Sequence, residues 1–155
     1  MKQSDDFADL YQEVILDHGR NPRHRRRLEV FDVTAKGDNP MCGDRVQVWI
    51  KLNDGTIGNV GFEARGCAIS VASADLMAEA VQGCSPADTN ALFEAFRTMA
   101  RTGSCPHCEA RLAEPLERLA PLSGVHEYPS RVKCATLPWH ALIAALDGAK
   151  EATSE

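Results

Sequence analysis

CGDRVQVWIKLNDGTIGNVGFEARGC, residues 42–67, holds two alternating stretches around a turn and begins and ends on a cysteine. Val46, Val48, Ile50 and Leu52 alternate with Arg45, Gln47, Trp49 and Lys51. Val60, Phe62 and Ala64 alternate with Asn59, Gly61, Glu63 and Arg65, so the segment reads as an antiparallel hairpin with one apolar face. Asn53-Asp54-Gly55 marks the turn. A two-residue Asp54-Gly55 loop would set Val46 against Glu63. A three-residue loop with Gly55 left-handed pairs Val46 with Phe62 and Val48 with Val60, which keeps opposed residues on one face. In that register Asp44 stands opposite Ala64 and Cys42 opposite Gly66, so Cys67 leaves its strand roughly 5–8 Å from Cys42.

A third cysteine shares the setting of these two. Cys42 lies in Asn39-Pro40-Met41-Cys42-Gly43-Asp44, Cys67 in Gly66-Cys67-Ala68-Ile69-Ser70, and Cys134 in Arg131-Val132-Lys133-Cys134-Ala135. Any one alone would read as a buried core thiol. Together with Asp44 they make three thiolates and a carboxylate, a donor set that suits zinc or iron if the segments converge. The ligands come from distant segments and include a hard carboxylate, unlike a closed structural zinc knuckle, so one ligand can exchange. Helix starts after Cys67 and Cys134 would favour their thiolates, and Lys133 would add to this.

Around the hairpin the pattern is helical. Ser4 caps a first helix with Phe7, Leu10, Tyr11, Val14 and Ile15 on one face, ending at His18-Gly19 and Asn21-Pro22. A strand is expected near Leu28 to Ala35. After Cys67 a small-residue helix runs to Gly83, Ser85-Pro86 with Asp88 opens another that ends near Gly103, and a third begins near Cys108 and is shortened by Pro115. The last carries Trp139, Leu142, Ile143 and Leu146. The expected fold is α+β: an N-terminal helix, a small three-stranded antiparallel sheet, then four to five helices packed on it. The 155 residues, 44% hydrophobic, read as a single domain, 1–155, with tails at about 1–4 and 149–155.

Charge narrows the function classes. With 17 basic and 22 acidic side chains the formal charge is −5, which gives no general attraction to nucleic acid. Arg23-His24-Arg25-Arg26-Arg27 reads as a solvated loop, with docking to an acidic partner as the alternative. No apolar run is long enough for a membrane span or signal peptide, so the expected location is cytoplasmic. Six cysteines there are expected to be reduced, for metal binding or thiol chemistry.

The N-P-x-C-G-D segment at Asn39 to Asp44, the G-C-x-I-S segment at Gly66 to Ser70, and Lys133-Cys134 together resemble a SufU-type member of the NifU/IscU iron–sulfur cluster assembly family. The likeness runs from the first helix to Trp139. It implies a SufE/NifU-like fold and a zinc site formed by Cys42, Asp44, Cys67 and Cys134. It also implies a zinc-dependent, sulfurtransferase-like role, rather than that of an ordinary enzyme, in taking persulfide sulfur from a cysteine desulfurase of the SufS type. Cys42 would be the acceptor, freed when a histidine of the desulfurase replaces it on zinc. The alternative is a scaffold on which an iron–sulfur cluster, or iron, sits at the same ligands and passes to apo-proteins, with other cluster assembly proteins as partners. Lys133 stands where the IscU branch has histidine. The chain lacks that branch's Leu-Pro-Pro-Val-Lys motif and carries a longer helical segment before Cys134, and both departures favour sulfur transfer.

Cys105-Pro106-His107-Cys108 falls outside that pattern. It reads as loop or helix-cap cysteines, with a second metal or redox site as the alternative, for which Cys84, His126 or His140 would have to supply further ligands. Cys84 reads as structural, and His18, His24 and His126 as exposed loop residues. A zinc deaminase fails because Ile69 stands where its glutamate is required. A zinc-stabilised interaction protein is the remaining rival.

Overall fold

The computed structural model describes residues 2–40, 43–105 and 109–153, with side chains from residue 11 to 152 within those ranges. Helix α1 spans Lys2–Arg20, strands β1 Val33–Asn39, β2 Asp44–Asn53 and β3 Thr56–Arg65. Helices α2 Ala68–Ala80, α3 Pro86–Thr102, α4 Ala113–Leu119 and α5 Pro129–Leu146 follow, and β4 Glu151–Thr153 ends the chain's described part. Short 3-10 turns at Ala110–Leu112 and Ala120–Glu127 flank α4. The sheet order is β3-β2-β1-β4, antiparallel except for the parallel β1–β4 pair. The α+β class holds. The sheet has a fourth strand, however, and it comes from residues expected to be a tail.

The hairpin corrects the expected register. Asp54 and Gly55, at φ 51° and 82°, form the two-residue loop between Asn53 and Thr56 that the sequence reading rejected. Face parity is recovered by a bulge: Lys51 pairs with Asn59 but Leu52 with Ile57, leaving Gly58 unpaired. Losing one ladder hydrogen bond costs about 1 kcal/mol. Turning Val46, Val48, Ile50, Val60 and Phe62 to solvent would cost about 1.5–3 kcal/mol each, so the bulge wins. Gly58 fits because a Cβ there would lie 2.4 Å from Asn53 Nδ2. The result is Val46 opposite Ala64, Val48 opposite Phe62 and Ile50 opposite Val60, two residues from expectation.

Strand β1 starts at Val33 rather than Leu28. Its inward residues, Ala35, Gly37 and Asn39, are small or polar because α5 lies close against it. A Cβ on Gly37 would meet Val46, Leu137 and Ala141 side chains at 3.0–3.2 Å. Leu28 is buried instead on the outer sheet face, where it lies against Gly61. Arg27 beside it lies over the Trp49 ring at 5.9 Å.

On the inner face α5 crosses β1 and β2 while α2 runs along β3 and packs on α5 and α1. Helix α2 is buried almost all round, from Ser70 to Ala78, so apart from Asp75 it is apolar or small on every side rather than amphipathic. Ser4 lies inside α1 rather than capping it. Ser85 accepts from Asp88 N–H, Pro86 opens α3 and left-handed Gly103 closes it, as the sequence predicts. Helix α5 begins at Pro129, five residues before Cys134, so Cys134 sits in the second turn rather than at a helix start.

Candidate metal centre

Asp44 opens β2 and is 2% exposed. In the observed register the next position beyond the Arg45–Arg65 pair sets Asp44 against Gly66, not Ala64. Gly66 has φ 135°, and a Cβ on it would fall 1.9 Å from Asp44 Oδ1. Only glycine allows the carboxylate to pass so close to the β3 end. Cys67 then caps α2, and its backbone N–H donates to Asp44 Oδ1 at 3.1 Å. Cys67 Sγ lies 3.5 Å from Asp44 Oδ2.

Cys134 reaches the same point from α5, 4% exposed. One ligand atom from each of Asp44, Cys67 and Cys134 lies within 4.8 Å of the others. Cys42 lies outside the described residues, in the connection between Asn39 and Asp44, across which Gly43 N–H donates to Asn39 carbonyl at 2.8 Å. The described part of the predicted ligand set is therefore one cluster at the end of the sheet where β2, α2 and α5 meet.

Ser70 was not singled out from sequence as a site residue. Its hydroxyl is fully buried and lies 2.8 Å from Asp44 Oδ2 and 3.1 Å from the Cys134 carbonyl oxygen. Its single proton serves one of these at a time. Ser73 Oγ donates to the Ala135 carbonyl at 2.5 Å and ties the two helices together one turn further. The signal was spacing: three residues after a capping cysteine, a side chain returns to the same helix face.

A second cluster involves residues expected to be exposed loops. His18, in α1, is 13% exposed at its side chain and lies 2.5 Å through Nδ1 from Oδ2 of fully buried Asp75. Asp75 Oδ1 accepts from the Arg23 and His24 backbone N–H groups, each at 2.8 Å. His24, 17% exposed at its side chain, approaches Glu79 at 3.5 Å. Both oxygens of Asp75 are thus engaged, Oδ2 with the end of α1 and Oδ1 with the chain after it, and together they tie this segment onto α2. The arginines of the basic run stay exposed, as a solvated loop should: Arg23 pairs with Asp17 at the surface, and Arg25 with Glu63 and the Ala64 carbonyl.

Cys84 is half-buried, and burial with nearby Asp88 pushes its thiol up, as suits an inert cysteine. Cys105 is disulfide-bonded, against the expectation of six reduced thiols. Cys108 lies outside the described residues, so the C-x-x-C expectation is not described further. His126 is exposed, as expected. No described helix is long and apolar enough to cross a membrane.

Comparison with known proteins agrees with this architecture. The chain is 35% identical over 133 residues to the zinc-dependent sulfurtransferase SufU of Bacillus subtilis, covering 86% of each chain. It is 34% identical over 137 residues to the iron–sulfur cluster assembly scaffold protein IscU of Streptococcus pyogenes, covering 88% of this chain and 82% of that one. The crystal structure of the SUF-system protein FiSufU from Fervidobacterium islandicum AW-1 superposes with a TM-score of 0.76 at 30% identity, over 86% and 94% of the two chains. A NifU-like N-terminal domain from Brucella abortus gives 0.75 at 26% identity, over 90% and 93%. Residues 10–135 match the family described as NifU-like N terminal domain, and the chain belongs to that family.

Proposed function

We propose that this protein is a zinc-dependent sulfur acceptor in iron–sulfur cluster assembly, charged by a cytoplasmic cysteine desulfurase. The convergence of Asp44, Cys67 and Cys134 at one buried point, with the carboxylate pinned by the Cys67 N–H and faced by Ser70, carries this reading. Two sulfurs and one carboxylate oxygen fit zinc, and Cys42, two residues from Asp44 in the chain, completes a four-ligand set. Bound zinc would keep the cysteines as thiolates at neutral pH.

Cys42 is the sulfur acceptor. Its thiolate attacks the outer sulfur of the desulfurase persulfide, forming a new S–S bond on Cys42 as the bond to the donor cysteine breaks and that cysteine leaves as thiolate. No net oxidation occurs. Asp44, Cys67 and Cys134 are held by strand pairing, a helix cap and a buried helix turn, which suits them to keep the metal when the Cys42 thiolate is used. The similarity to the SufU relative supports the reading.

Similarity to IscU scaffold proteins at nearly the same identity supports a second reading, in which the same thiolates hold a cluster. Metal analysis of protein purified without oxygen, combined with desulfurase turnover, separates the two. Sulfur transfer predicts bound zinc and a stimulation of the desulfurase that Cys42→Ala abolishes. Iron with sulfide and an unchanged turnover would establish the scaffold instead.

A further inference from the structure

The groove between the C-terminal half of α3 and the first turns of α5 is cationic on a chain whose formal charge is −5. It encloses about 370 Å³, and Arg97, Arg101, His126, Lys133 and His140 line it, with buried Thr136 among them. Among the described residues no carboxylate lines it. Arg97 and Arg101 are one helical turn apart, where like charges repel. Lys133 lines the same groove from α5. Arg97 has an ion pair, 3.6 Å to Glu94 at the surface. Among the described residues the Arg101 and Lys133 side chains make no hydrogen bond or ion pair, and only the Lys133 carbonyl is engaged, by the Thr136 hydroxyl at 3.4 Å. The His140 ring is fixed edge-on to Phe93, 5.2 Å between centroids. Burial first, then the Arg97 and Arg101 guanidiniums, hold its imidazole below the usual histidine range, against the opposing pull of the Glu94 carboxylate.

Such a concentration of cations gains nothing for the fold and is relieved by an anion. We propose that the groove binds a phosphate dianion, either free or as the head of a small phosphomonoester. The planar guanidinium groups match phosphate oxygens two at a time, and Lys133 adds a point charge. The volume lies in the range of small-molecule sites, and Pro129 with Val132 offers an apolar wall to an organic group.

Isothermal titration of the full chain at low ionic strength, with inorganic phosphate and with adenosine monophosphate, tests this. Saturable binding at one site is expected. Arg101→Glu and Lys133→Glu should each weaken it at least tenfold, on the scale of one lost charge-assisted contact. Arg118→Glu, on α4, should leave it unchanged. Tighter binding of the nucleotide would identify the ester as the ligand class, and equal binding the free ion. Where a charge reversal disturbs folding, Arg101→Gln and Lys133→Gln replace it. Absence of saturable binding, or equal weakening by Arg118→Glu, would overturn the proposal.

Discussion

Gly66→Ala is the sharpest perturbation the structure offers, because one methyl group strikes the candidate centre and the fold together. The new Cβ would sit 1.9 Å from Asp44 Oδ1 and 2.6 Å from its Cγ, at a backbone φ of 135° that L-residues rarely adopt. Backbone strain there costs about 1–3 kcal/mol. Relieving the clash means swinging Asp44 away from the Cys67 N–H and the Ser70 hydroxyl. A hydrogen bond to a charged acceptor contributes about 1.5–3 kcal/mol. The combined loss is about 4 kcal/mol or more, and a chain of this size loses about 2–4 °C per kcal/mol, so the melting midpoint should fall by roughly 10 °C. Circular dichroism melts with and without a chelator separate the fold from the metal, since bound metal adds its own stabilisation. Gly124→Ala is the control, because a Cβ there meets nothing within 4 Å. A Gly66→Ala protein that melts within about 2 °C of the parent and keeps its full metal content would refute the reasoning.

Three further substitutions follow from the same geometry. Asp75→Ala strips the partner of two backbone N–H groups and His18, and should cost about 3–5 kcal/mol, the scale for breaking a buried charged pair; denaturant unfolding measures it, and amide exchange should accelerate at residues 23 and 24. Ser70→Ala leaves all proposed ligands in place but removes the hydroxyl contact to Asp44 Oδ2, and should weaken zinc about 10–100-fold in a chelator competition, with little change in the metal-free melt. His140→Gln tests the cationic groove by pH. Burial and the nearby guanidiniums hold the folded imidazole below 6.5, the ordinary histidine value, so its contribution to stability is full above 6.5 and is lost as pH falls toward the folded value. Relative to the parent, His140→Gln should therefore gain stability between neutral and mildly acidic pH.

The α+β class and the convergence of Asp44, Cys67 and Cys134 were legible because they rest on local chemistry. Alternation marks β2 and β3, Ser85-Pro86 and Gly103 bracket α3, and glycine and proline frame the cysteines. The errors arose where tertiary packing overrode local pattern. The hairpin register turned on Gly58, whose bulge makes a two-residue turn compatible with one apolar face. Strand β1 was misplaced because its inward residues are small to admit α5, so apolar alternation pointed to Leu28 instead. Strand β4 is three residues long and has meaning only beside β1. For Cys134 the sequence hid the helix start, since Pro129 precedes the cysteine by more than a turn. Its thiolate must rely on the neighbouring groups rather than on a helix end. His18 was misread as a loop residue and His24 as an exposed one because their partner, Asp75, lies more than fifty residues away in the chain.

The central claim is that Cys42 accepts sulfur beside a zinc site built from Asp44, Cys67 and Cys134. The most direct measurement is intact-protein mass spectrometry after incubation with a cysteine desulfurase and cysteine, comparing the parent with Cys42→Ala. The account predicts that the parent gains one sulfur atom, mapped to Cys42 by peptide digestion, and that Cys42→Ala gains none. Equal sulfur loading of both proteins, or loading mapped to Cys67 or Cys134, would contradict it.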